Sequence, residues 1–171
     1  DDLLGIADDL YALALAGFTP ARDARAKELK ATGDLAASVK ALKKPSLAAW
    51  VVNHLVRRDT DQVDNILTVG AALREAQESM SGEQLRTLTR QRRQVTAAVT
   101  QRARLLAGES GVKVTQAVAD QVEATLTAAM IDARCAEAVR SGLLVTALAA
   151  TGVDEVDLTR AVALPEALGF S

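Results

Sequence analysis

Apolar residues recur every three or four positions along most of this chain, and helix-capping residues stand where the runs begin. Residues 2–15 place Leu3, Ile6, Leu10 and Leu13 at helical spacing, with Gly17 as a stop. Thr19 is the expected cap of a second helix, since Pro20 at the first helical position has no amide to leave unpaired; it runs to about Thr32 and ends at Gly33. Asp34 caps a shorter helix with Leu35, Val39 and Leu42 as its buried stripe, and Pro45 interrupts it at KKPS. Ser46 caps residues 47–58, where Leu47, Val51 and Leu55 form the inner face. Asp59 or Thr60 opens a helix to about Met80 through Val63, Ile66, Leu67, Gly70 and Leu73. Ser81 and Gln84 spell a capping box for the longest helix, about 82–107, which Gly108 ends. Thr115 starts another with Val118, Val122, Leu126 and Met130 on one side, and a short one over 133–141 stops at Gly142. Periodicity leaves the structure of 143–171 open between a short β-hairpin, a frayed helix and an extended arm.

The expected fold is therefore all-α: an irregular bundle of seven to eight helices in one domain, 1–171, with a weak sub-boundary near 109–111 and a C-terminal arm suited to exchanging contacts in a homodimer. Composition agrees. The chain is 49% hydrophobic, yet its aromatic residues are only Tyr11, Phe18, Trp50 and Phe170, so Leu, Val and Ala must build the core. Trp50 reads as its largest residue, with His54 packed one turn on. The single cysteine, Cys135, cannot bridge internally and fits a small buried side chain in a reducing cytoplasm. No run of apolar residues reaches the length of a membrane span, and no signal-peptide pattern is present.

Three segments, LYALALAGFTPARDARAKELKATGD, VKALKKPSLAAWVVNHLVR and QVEATLTAAMIDARCAEAVRSGLLVTAL, resemble an uncharacterised family of Ala- and Arg-rich actinobacterial proteins. The resemblance implies a bacterial cytosolic origin and, in the family, a long charged Ala- and Glu-rich region after the part seen here. It implies no activity and assigns no functional residue.

The inventory argues against catalysis and metal binding. One His and one Cys exclude the usual zinc arrangements, the Asp59, Asp61 and Asp64 group lies at a helix start where the dipole favours acids, and no phosphate-binding glycine loop occurs. No cofactor is expected, and the chain reads as non-enzymatic.

Charge is more informative than its total. The formal net charge is −2, but residues 21–58 carry nine Lys or Arg against three acids, and residues 84–108 hold six Arg and no acid. In the longest helix the apolar positions Leu85, Leu88, Val95, Val99 and Leu106 keep to one face. Arg86, Arg90, Arg93 and Arg104 form a second stripe about 27 Å long at ~1.5 Å per residue, while Arg92 and Arg102 flank the apolar seam. With no acid inside 84–108, the partners of these guanidiniums come from elsewhere. Either they are internal, from Asp64, Glu75, Glu78, Asp120 and Glu123 on neighbouring helices, or they are the phosphates of a nucleic acid.

Residues 34–58 supply a second candidate, two short helices about a tight turn, with the outline of a helix-turn-helix. Asn53 and Arg57 are residue types that read base edges, with Arg58, Lys40, Lys43 and Lys44 near the flanking backbone; an ordinary helical hairpin explains the same pattern. The expected function is nucleic-acid binding through these basic faces. The alternative is a helical scaffold that binds a partner protein or itself through complementary charged segments. Membrane docking is not expected, because the face opposite the charges is Ala and Val.

Overall fold

The computed structural model describes residues 2–151 and 153–170 and is all-α, as the periodicity implies. Nine α-helices lie among the described residues: α1 Leu3–Tyr11, α2 Phe18–Glu28, α3 Gly33–Lys40, α4 Leu47–Arg58, α5 Thr60–Gln77, α6 Gly82–Glu109, α7 Gln116–Ile131, α8 Ala133–Arg140 and α9 Glu155–Ala161. No helix among them is long and apolar enough to cross a membrane.

Side chains close most helix starts. Ser46, Thr115 and Asp132 accept hydrogen bonds from the first-turn amides of α4, α7 and α8. Ser81 and Gln84 complete the reciprocal capping box of α6. The second helix departs from expectation. It begins at Phe18, fed by a 3-10 turn at Leu15–Gly17, so Thr19 and Pro20 sit inside its first turn, where amides need no helical partner. It also unwinds after Glu28 instead of reaching Thr32; Phe18 is the one buried residue of α2, and Ala26 and Leu29 near its end are only partly buried against the smaller cluster.

The apolar side chains form two clusters. The larger is built on α4, with α5, α6, α7 and α8 packed around it; the smaller joins α1, α2 and α3 through Ile6, Leu10, Tyr11, Phe18 and Val39. The segment after α8 threads between them. Leu143 and Val145 belong to the smaller cluster and Leu144 to the larger, the two-residue alternation of an extended chain. An antiparallel bridge between Leu144 and Val162 holds this segment to the stretch following α9. The C-terminal part is thus a docked arm with one bridge and one short helix, in place of a hairpin.

Helix α4 explains this arrangement. Ala48 through Asn53, Leu55 and Val56 are all buried, so α4 is apolar on almost every side. Asn53 is fully buried; its amide nitrogen donates to the Leu144 carbonyl at 2.9 Å and its oxygen accepts from the Leu144 amide at 3.0 Å. One side chain thereby satisfies both backbone groups of the residue inserted into the core. Trp50 stacks on His54 with ring centroids 4.6 Å apart and donates its indole N–H to the Leu13 carbonyl. Gly70 lets α5 approach α7: a Cβ there would stand 2.8 Å from the Met130 Cα.

Two outcomes follow for stability. Asn53→Ala leaves the Leu144 amide and carbonyl buried without partners and is expected to destabilise the fold by roughly 2–5 kcal/mol, read as a lower urea midpoint. Gly70→Ala is expected to cost a net of about 1–2 kcal/mol in the same measurement, because overpacking against α7 backbone outweighs alanine's better helix propensity.

Candidate nucleic-acid interface

The N-terminal half of α6 carries the arginine row. Its capping box fixes the first turn, and Leu88, Val99 and, in part, Val95 face inward. With 3.6 residues per turn, Arg86, Arg90 and Arg93 fall within an arc of about 60°, nearly opposite Leu88, Val95 and Val99. All three arginines are exposed.

What distinguishes them is the absence of a partner. Most other arginines of the chain are engaged. Arg22 donates to the Leu42 carbonyl, Arg74 to the Met130 carbonyl at the end of α7, and Arg102 pairs with Asp59 at 3.0 Å. Arg134 pairs with Glu137 and Glu155, reaches the Gly169 carbonyl and lies 4.3 Å over the Phe170 ring, so it staples the C-terminal arm to α8. Arg140 faces Asp64 at 3.6 Å. Arg86, Arg90, Arg92 and Arg93 have no ion-pair or hydrogen-bond partner among the described residues. The acids proposed as internal partners are turned elsewhere or are unpaired: Asp64 meets Arg140, Asp120 accepts from Gln116, and Glu75, Glu78 and Glu123 have no ion pair with α6 among the described residues.

The fourth member of the stripe is lost to it. Arg104 shares the angular position of Arg86, but the chain after α6 folds back along that face, and Arg104 donates to the Val114 carbonyl at 2.8 Å and to the Gln116 side chain. The free row is therefore about 10 Å long at ~1.5 Å per residue. Beside it runs a shallow recess lined by Met80, Ser81, Glu83, Gln84, Thr87, Leu88 and Gln91, so one carboxylate stands among its neutral polar groups. The amides of Gln84 and Gln91 suit phosphate and sugar oxygens, whereas the Thr87 hydroxyl donates to the Glu83 carbonyl.

The second candidate surface, 34–58, does not survive as a helix-turn-helix. A recognition helix must present one face to a groove, and α4 is enclosed by α5, α6, α7 and α8. Asn53 holds Leu144 inside the core and reads nothing outside it. Arg57 is a structural clamp: it donates to the Gly142 carbonyl at 2.8 Å and pairs with Asp8 at 2.6 Å. Gly142 has φ +67°, and a Cβ there would stand 3.0 Å from the guanidinium. Arg58 faces Glu109 at 3.6 Å. Lys40 pairs with Asp23 at 2.8 Å, and with Arg22 it holds the Asp23 carboxyl below the usual carboxylate range. Lys43 and Lys44 are exposed on the turn after α3, a helix that packs with α1 and α2.

Two other singled-out residues are structural in position. Cys135 is buried, and loss of solvent pushes its thiol up to about 11, so it stays protonated at neutral pH. His54 lies between Trp50 and the Ser110 hydroxyl, 3.2 Å from its Nε2. Burial lowers its pKa first, and the nearby Arg58 and Arg57 charges lower it further, against the opposing Leu106 backbone contact and Glu109. No known protein family, curated protein or solved structure matches the chain.

The His54 environment has a measurable consequence. Above its ordinary value of 6.5 the imidazole is neutral in both folded and unfolded chains. Below that pH the unfolded chain takes up the proton first, so stability falls as pH drops from 6.5 towards the depressed folded value. Thermal melts at pH 7.5 and 5.5 are expected to show a larger loss for the wild type than for His54→Gln; equal losses would mean that the imidazole titrates normally.

Proposed function

We propose that this chain is a nucleic-acid-binding protein that contacts phosphate through Arg86, Arg90 and Arg93 on α6. The supporting observation is selective: most arginines elsewhere in the fold are bonded to carbonyls and carboxylates, whereas Arg86, Arg90 and Arg93 are exposed, share one helix face and have no partner among the described residues. Arg160 on α9 is likewise exposed and unpartnered among the described residues but stands alone. Glu83 is the one acid in the first turn of α6 and pairs with none of the row; holding three permanent charges together costs self-repulsion, and a polyanion relieves it while releasing its own counterions. The guanidinium fork suits phosphate oxygens in pairs. Gln84 and Gln91 in the adjoining recess add neutral amide donors that position a backbone without reading sequence.

The test is a mobility-shift titration with mixed-sequence nucleic acid at two salt concentrations. Binding is expected at low salt and to weaken steeply as salt rises. The Arg86/Arg90/Arg93→Ala variant is expected to lose at least about tenfold in affinity with its unfolding midpoint little changed, because the side chains removed make no internal bonds. No complex at low salt, or undiminished binding by this variant, would overturn the assignment.

A further inference from the structure

If the α6 row is a phosphate-binding surface, the fold also restricts which nucleic acid it takes, and we infer that its ligand is a duplex held by its backbone rather than a single strand. This rests on the reading above and on an independent feature, the fate of the aromatic side chains.

Sequence-tolerant binding of single strands depends on bases stacking on exposed aromatic rings set along a basic groove. Here every aromatic residue is spent in the core. Tyr11, Phe18, Trp50 and Phe170 are exposed by 3% or less. Each is also engaged: Tyr11 packs edge-on against Phe18 and bonds the Lys43 carbonyl, Trp50 is stacked on His54 and bonded to Leu13, and Phe170 lies beneath Arg134. His54, the one further ring, has one face stacked on Trp50 and is only partly exposed. No exposed aromatic platform is left for unpaired bases.

The shape of the row favours a duplex on its own account. Arg86, Arg90 and Arg93 are mounted on a continuous helix of 28 residues, so their spacing is fixed. A duplex is stiff and presents one phosphate per ~1.7 Å of axis, so the row's ~10 Å lies beside about six phosphates; one strand of it offers about half as many. A flexible single strand must be ordered against a straight row, and that lost freedom is not repaid by stacking on aromatic rings. The shared chemistry recognised is a paired, regularly spaced phosphate backbone, whether of DNA or of RNA.

Fluorescence anisotropy on the intact chain decides it, using labelled 20-base-pair DNA and RNA duplexes and their separated strands, at 50 and 150 mM salt. The expected result is that at least one duplex binds about tenfold or more tighter than either of its strands. Its salt slope should be close to −2.7, the value for about three phosphate contacts on B-form duplex, with little change when its sequence is shuffled. The DNA and RNA arms show which helical form is preferred. Strands that bind as tightly as the duplexes would overturn the inference while leaving phosphate binding by α6 intact. Absence of binding to every probe would overturn both. Tight binding to one sequence alone would also overturn it, since backbone contact carries no such preference.

Discussion

The amide of Asn53 is the contact on which the rest of the structure depends. Bringing residues 143–145 between two apolar clusters buries backbone groups that a helix would have satisfied internally, and a buried unpaired amide or carbonyl is costly. Asn53 answers both groups of Leu144 from 91 residues away in sequence. With that segment fixed, the bridge to Val162 follows, the amide of Val145 is taken by the Ala161 carbonyl, and the carbonyl of Val145 accepts from the Ser46 amide at the start of α4. Cap, core helix and C-terminal arm therefore form one hydrogen-bonded assembly.

Arginine performs two kinds of work around that assembly. In the body, its fork reaches carbonyls that no helix pairs: Arg74 at the end of α7, Arg57 at Gly142, Arg104 at Val114, Arg134 at Gly169. These side chains do the job that glycine caps and polar loop residues do elsewhere, and they combine a long apolar stem with several donors. On the first half of α6 the same residue type does none of this. The contrast within one chain, more than the local charge density, is the reason to assign a binding role to Arg86, Arg90 and Arg93.

Local signals in the sequence carried the helical part well. The S-x-x-Q pattern at 81–84, Ser46 after Pro45 and Thr115 after a glycine turn each put a hydroxyl within reach of free first-turn amides, a short-range interaction that any tertiary context preserves. Thr19 misled because the helix began two residues earlier, on a 3-10 turn with no distinctive residue to mark it. The arm at 143–170 was illegible for the opposite reason. Its conformation is set by Asn53 and Arg134, which lie far away in sequence, and no pattern within the segment announces them. The same distance dependence divided the candidate site. Exposure of Arg86, Arg90 and Arg93 followed from helical phase, whereas the capture of Asn53, Arg57 and Arg104 followed from long-range or loop contacts. Polar residue type alone placed them outside, whereas packing buries Asn53 and half-buries Arg57 and Arg104.

The first half of α6 holds guanidiniums with no partner among the described residues. The most direct measurement is NMR relaxation of the arginine Nε–Hε groups in the isolated chain. Low order parameters, near or below ~0.6, are expected for Arg86, Arg90 and Arg93, with Arg57, Arg74 and Arg134 close to the rigidity of the backbone. Finding the α6 row as rigid as the clamping arginines would show that its charges are already satisfied internally and would contradict the account.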